Sequence, residues 1–171
     1  MTISAINTMD CASVTAALGH LFEHSPWVAE ETWARRPFRD AVHLYSELCA
    51  TLQLASADRQ MALIQAHPDL AGRLARQNQL TQDSAREQTS AGLTLLSDNE
   101  LAEFQKLNDA YRAKFGFPFI ICARLNAKQA ILDAMRNRQH HDVTTERTAA
   151  LAEIEKIAWL RLQDVMSDSN D

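Results

Sequence analysis

Residues 114–125, KFGFPFIICARL, are the one part of this chain that resists an ordinary helix. A glycine and a proline sit among Phe115, Phe117 and Phe119, and proline inside a helix removes a backbone hydrogen bond. Residues 117–124 have the composition of a strand, but a strand needs partners to be stable. No other segment alternates apolar and polar residues for long enough to provide one. A sheet fold is therefore excluded, and this segment is expected to be buried, extended and unpaired by any sheet. Its backbone N–H and C=O groups then need partners among side chains or on a bound polar ligand.

The remainder reads as helix. Four glycines and four prolines in 171 residues, with abundant Ala, Leu, Gln and Arg, leave little else. Pro26, Pro37, Pro68 and Pro118 each fall between helical patterns. SDNELAEFQKLNDAYRAKF opens with Ser97 and Glu100 as a capping box. It carries an apolar stripe of Leu101, Phe104, Leu107, Tyr111 and Phe115, and Gly116 terminates it. Further helices are predicted at 10–22, 38–53, from Ser56 towards Pro68, from Asn126 as cap with Gln129 at the third position, and at 145–166. Trp27 and Trp33, in the connection HSPWVAEETWARRPF, read as core anchors. The expected architecture is all-α: one domain over residues 1–171, a compact bundle of about eight to ten helices with room for two lobes. The extended segment 117–124 lies buried within it, and the terminal SDSND frays.

The net charge of −5 supplies no basic excess to displace counterions, so nucleic acid is not an expected partner. There is no polybasic block for a membrane surface, no apolar run of spanning length, and no pattern of a signal peptide. Cys11, Cys49 and Cys122 cannot all pair internally and lack metal spacing; they read as small reduced core residues, which implies a reducing, cytoplasmic setting.

Three residues break local rules. With 145–166 wound as a helix, Arg161 falls among Ile154, Ile157, Ala158 and Val165 on the apolar face. It is either a snorkelling edge residue or a buried functional one, which would need an anionic or carbonyl-rich partner and whose planar fork suits a small, flat, oxygen-rich ligand. Glu87 shares a helix face with Ser84, Gln88 and Ala91, yet Ser84 and Glu87 also spell a capping box. His67 precedes Pro68, so it ends the preceding helix; it is a loop histidine or one placed for proton transfer. The remaining histidines do not assemble a metal site. His20 and His24 have ligand spacing, and HHD stands at 140–142, but neither has a third ligand nearby.

The segments FEHSPWVAE (22–30), HPDLAGRLA (67–75), SAREQTSAGL (84–93), LNDAYRAKFGFPFIICARL (107–125) and IEKIAWLRL (154–162) stand in one family order. Over nearly its whole length the chain resembles the 2-oxo-4-hydroxy-4-carboxy-5-ureidoimidazoline (OHCU) decarboxylases. The stretch RQHHDVTTER departs from the Asn-containing turn usual there. The resemblance implies a small all-α carboxy-lyase of urate (purine) catabolism that decarboxylates OHCU to (S)-allantoin without cofactor or metal. It implies His67, Glu87 and Arg161 as catalytic residues. Pro68, Ser84 and Gln88 would touch the substrate, with backbone amides at Phe119, Ile120 and Ile121. A small-molecule substrate is the expected partner, neither nucleic acid nor membrane is, and relatives point to a homodimer. The alternative is a non-catalytic helical module that binds a small purine-derived ligand or a partner protein. A metal-dependent hydrolase using His20, His24 or His140 is the third reading.

Overall fold

The computed structural model describes residues 1–72 and 79–167. Among these residues the chain is all-α, with nine helices and no strand. The helices are α1 (Ile3–Thr8), α2 (Cys11–Leu18), α3 (Trp27–Thr32), α4 (Ala41–Leu54), α5 (Ala57–Ala66), α6 (Gln82–Ser90), α7 (Asp98–Phe115), α8 (Lys128–Arg138) and α9 (Val143–Ser167). They belong to two compact units: Met1–Ala66 with the chain from Glu155 onward, and His67–Ile154. The expected fraying of SDSND concerns residues that lie, but for Ser167, outside the described ones, as do Arg73–Ala75 of the HPDLAGRLA motif.

In the first unit, local chemistry sets the helix starts. Thr2, Asp10 and Asp40 each accept a hydrogen bond from the backbone N–H three residues on. Ile6, Val14, Leu18, Leu44, Leu48, Leu63, Ile64 and Leu162 fill the interior. Helices α1 and α3, six residues each, are too short to show a readable apolar period. The last carbonyls of α4 are met by Gln60, whose Nε2 donates to Leu52 O (3.0 Å) and Gln53 O (3.2 Å). Trp27 and Trp33 are half-buried rather than core anchors. Each carries a guanidinium 3.8 Å over its ring, from Arg59 and Arg36 respectively. The cysteines are free; Cys122 is buried, whereas Cys11 and Cys49 are only partly so.

In the second unit, α7 begins and ends as its sequence demands. Ser97 and Glu100 form the reciprocal capping box, and Gly116 takes the left-handed conformation (φ 76°) that stops the helix. Lys128 and the Ser97 backbone and hydroxyl hold the Glu100 carboxyl down, at about 2 against an ordinary 4.5. A depressed folded-state pKa contributes stability above the unfolded value and loses it as the carboxylate protonates. The melting temperature of wild type relative to Glu100→Gln is therefore expected to be highest above pH ~5 and to fall away towards pH ~2. A difference constant over that range would remove the assignment.

Asn126 does not cap α8 as predicted. Its Nδ2 donates to Cys122 O (3.0 Å), and Ala127 occupies the cap position without a side-chain bond. Helix α9 starts two residues ahead of expectation because Asp142 accepts from Thr145 N (2.8 Å) and Thr145 Oγ1 (2.7 Å). Residues 117–123 are buried and irregular, as expected for most of 117–124, but a 3-10 turn over Ala123–Leu125 shortens the extended part and exposes Arg124. Aromatic packing explains the burial. Tyr111 of α7 meets Phe115, Phe117 and Phe119 at centroid distances of 4.5, 6.0 and 5.3 Å.

Candidate active site

The second unit positions most of the expected site residues. Helix α5 ends at Ala66, and His67 follows in a loop, buried to 7% exposure, with Pro68 half-buried behind it. The loop is tied down on several sides. Arg112 Nε reaches both Asp69 carboxylate oxygens (2.8 and 3.0 Å), and Asn108 Nδ2 donates to Leu70 O (2.9 Å). Ala71 N donates to Gln88 Oε1 at 2.9 Å. Ala71 has φ 51°, an unfavourable region for a residue with a Cβ, and the surrounding bonds hold it there. Gly72 closes the loop so tightly that a Cβ would stand 2.7 Å from that of Asp69.

Helix α6 presents its buried face with Ser84, Glu87 and Gln88 together, at the spacing that places them on one side. The capping reading of Glu87 does not hold. Thr81 is the cap, its hydroxyl accepting from Ser84 N, so Ser84 and Glu87 lie inside the helix. Gln88 uses its carbonyl oxygen on the His67 loop, which ties α6 to that loop.

Helix α6 packs on the 3-10 turn Ala123–Leu125, directly after the irregular segment. Side chains of α8 and α9 meet part of that segment's backbone. Arg138 Nη1 donates to Ile120 O (2.7 Å), and Glu153 Oε2 accepts from Cys122 N (2.8 Å). The N–H groups of Phe119, Ile120 and Ile121 have no acceptor among the described residues. Burial pushes the Cys122 thiol pKa up, and the Glu153 and Glu87 carboxylates add to that, which disfavours the thiolate.

Arg161 belongs to the first unit. It does not snorkel; its side chain is 3% exposed, and Nη1 donates to Glu23 Oε2 and to His20 O, both at 3.1 Å. Glu23 is as deeply buried, so the partner that the sequence demanded of a buried arginine is a carboxylate and a carbonyl. His20 and His24 are exposed, and among the described residues no three His, Cys, Asp or Glu side chains gather as a metal site would need.

A model of the OHCU decarboxylase family matches residues 7–163. The chain belongs to the OHCU decarboxylase family. Over 98% of its length it is 40% identical to the 2-oxo-4-hydroxy-4-carboxy-5-ureidoimidazoline decarboxylase of Haloferax volcanii, of which it covers 97%. It is 37% identical to the enzyme of the same name from Amia calva, over 97% of this chain and 95% of that one. Among solved structures, an (S)-allantoin synthase superposes with a TM-score of 0.75 at 31% identity, over 97% of this chain and 54% of that longer one.

Within this OHCU decarboxylase fold, several residues that contact the expected site residues or their loops were not picked out from sequence. Glu23 lies in FEHSPWVAE and was read only as part of a motif. Asn108 sits between Phe104 and Tyr111 on the buried stripe of α7, where a polar residue is itself a signal. Arg138 and Glu146 both lie in RQHHDVTTER, read only as a departure from the usual turn.

Proposed function

We propose that the chain carries out its family's reaction, the cofactor-independent decarboxylation of OHCU to (S)-allantoin in urate catabolism, as one catalytic domain. The reading rests most on one observation. With Thr81 as the cap, Ser84, Glu87 and Gln88 share a buried face inside the helix, and α6 packs on the turn that follows irregular backbone whose Phe119, Ile120 and Ile121 N–H groups meet no acceptor among the described residues.

The chemistry needs little beyond positioning. As the C–C bond to the carboxylate breaks, carbon dioxide leaves, the electron pair moves into the ring's own C=N system, and the imine nitrogen takes up a proton from solvent. The hydroxyl gives up its proton as the carbonyl forms, and the ureido-bearing carbon is protonated on one face. The substrate is its own electron sink. The protein holds the ring, aligns the breaking bond with the π-system and selects the face.

In this mechanism His67 stands at the carboxylate and hydroxyl and moves a proton. Glu87 accepts from the substrate hydroxyl. Ser84 and Gln88 hold the ureido arm, Gln88 through its amide nitrogen because its oxygen is taken by Ala71 N. Pro68 packs against the ligand. The N–H groups of Phe119, Ile120 and Ile121 meet the oxygen on which negative charge develops, which gives the buried irregular backbone its use. Arg161, oriented by Glu23, binds ring or ureido oxygens. No helix among the described residues is long and apolar enough to cross a membrane, and the chain is acidic. We place it in the cytoplasm as a homodimer whose partner is the small-molecule substrate.

The decisive test generates OHCU in situ from urate with the two preceding enzymes and follows circular dichroism on adding this protein. Rapid appearance of one allantoin enantiomer is expected; decay at the protein-free, racemic rate would leave the ligand-binding module as the better account. Glu87→Gln separates chemistry from architecture. The variant is expected to melt as wild type does and to lose turnover about 100-fold or more, because a neutral amide oxygen is a weaker acceptor for the substrate hydroxyl than the carboxylate. Normal turnover in a stable variant would make Glu87 a packing residue.

A further inference from the structure

Glu146 is the most deeply buried charge outside the residues assigned so far, at 0% exposure. Its Oε1 accepts from the Tyr111 hydroxyl and from Arg138 through Nε (2.8 Å) and Nη2, while Oε2 lies 2.8 Å from His141 Nδ1. Burial and the neighbouring carboxylate push the Tyr111 phenol well above its usual pKa, so tyrosine is the donor. Two nitrogens of Arg138 are thus committed to one carboxylate. The fork is rigid and planar, so the third is aimed by the same contact. That third nitrogen, Nη1, donates to Ile120 O at 2.7 Å, and the guanidinium carbon lies 4.4 Å from the Phe119 ring centre.

A peptide group is planar, with its C=O and N–H pointing in opposite directions. A donor fixed on Ile120 O therefore also fixes where Ile121 N–H points. Glu153 pins the next plane in the same way through Cys122 N. Two successive planes of the irregular segment are held by side chains, and the N–H between those contacts is one of the unmet amides. A buried ion pair is weak evidence of stability on its own, because apolar residues of similar volume often serve as well. The segment needs a directed amide, which apolar packing cannot give.

We propose that Arg138, seated on Glu146, is a positioning residue that sets the direction of the Ile121 N–H for the developing oxyanion. This rests on the decarboxylase reading above. The experiment compares wild type with Arg138→Met and with the double variant Arg138→Met/Glu146→Gln. The single variant strands a buried carboxylate and is expected to be unstable. The double variant removes both charges and keeps an acceptor for Tyr111, so its melting temperature is expected to recover. Its kcat is expected to stay about 10- to 100-fold low with KM little changed, and the enantiomeric excess of allantoin to drop. Exchange of the Ile121 amide, followed by NMR, is expected to quicken about 10-fold or more relative to core amides of α7. A folded double variant with wild-type kcat and enantiomeric excess, or with unchanged Ile121 exchange, overturns the proposal. If wild type itself fails to produce one enantiomer, the decarboxylase reading falls, and amide exchange alone still decides whether Arg138 orders the segment.

Discussion

His67→Ala is expected to fold and melt close to wild type while stereospecific OHCU decarboxylation drops by about 10²- to 10⁴-fold, the range for losing a proton-transfer side chain. The structural half of this expectation comes from what anchors the loop. Asp69 is held by Arg112, the Leu70 carbonyl by Asn108, and the Ala71 N–H by Gln88. These three anchors do not pass through the imidazole and remain when it is truncated. The catalytic half comes from placement. The imidazole is buried immediately after a helix end, in the same unit as Glu87 and the 119–121 amides. Rate and product handedness are measured together by circular dichroism, and stability by thermal unfolding. Wild-type activity in a folded variant would remove His67 from the mechanism. Unfolding of the variant would show instead that the ring is a core element.

The second large effect falls on stability. Arg161→Met takes the guanidinium away from a Glu23 carboxylate that has 2% side-chain exposure. Breaking one side of such a pair costs about 3–5 kcal/mol, much of the total stability of a domain of this size. Urea unfolding is expected to show that loss, and the double variant Glu23→Gln/Arg161→Met to recover most of it because no charge is stranded. A single variant within 1 kcal/mol of wild type would mean that water reaches Glu23. Arg161→Lys separates the remaining role. An ammonium can still neutralise Glu23 but cannot present a planar fork, so weak substrate binding at near-normal stability is expected. Unchanged affinity would confine Arg161 to holding Glu23.

How much was legible depended on the range of the interaction. The start of α7 at Ser97, its end at Gly116 and the end of α5 before Pro68 were readable because each is decided within a few residues. The same local rule was ambiguous at Glu87. Ser84 and Glu87 have capping-box spacing, and only the bond from Ser84 N to Thr81 shows that the helix begins three residues earlier. Asn126 failed as a cap because a non-helical acceptor, Cys122 O, competes for its side chain. Trp27 and Trp33 were read as core anchors, while Arg59 from α5 covers the face of Trp27 and the nearby Arg36 that of Trp33.

Sequence alone was enough to predict a helical chain, a buried segment over 117–124 without a sheet, of which Arg124 proved exposed, and an anion or carbonyl beside Arg161 if that residue is buried. These follow from periodicity, from proline and glycine chemistry, and from the cost of an unpaired buried charge. Which groups meet those demands is settled by long-range packing. Glu23 answers Arg161 across 138 positions of sequence, Glu153 answers Cys122 across 31, and Arg138 answers Ile120 across 18. A hydrogen-bond requirement is a property of one residue, whereas its partner is chosen by how the helices pack, and no local pattern encodes that choice.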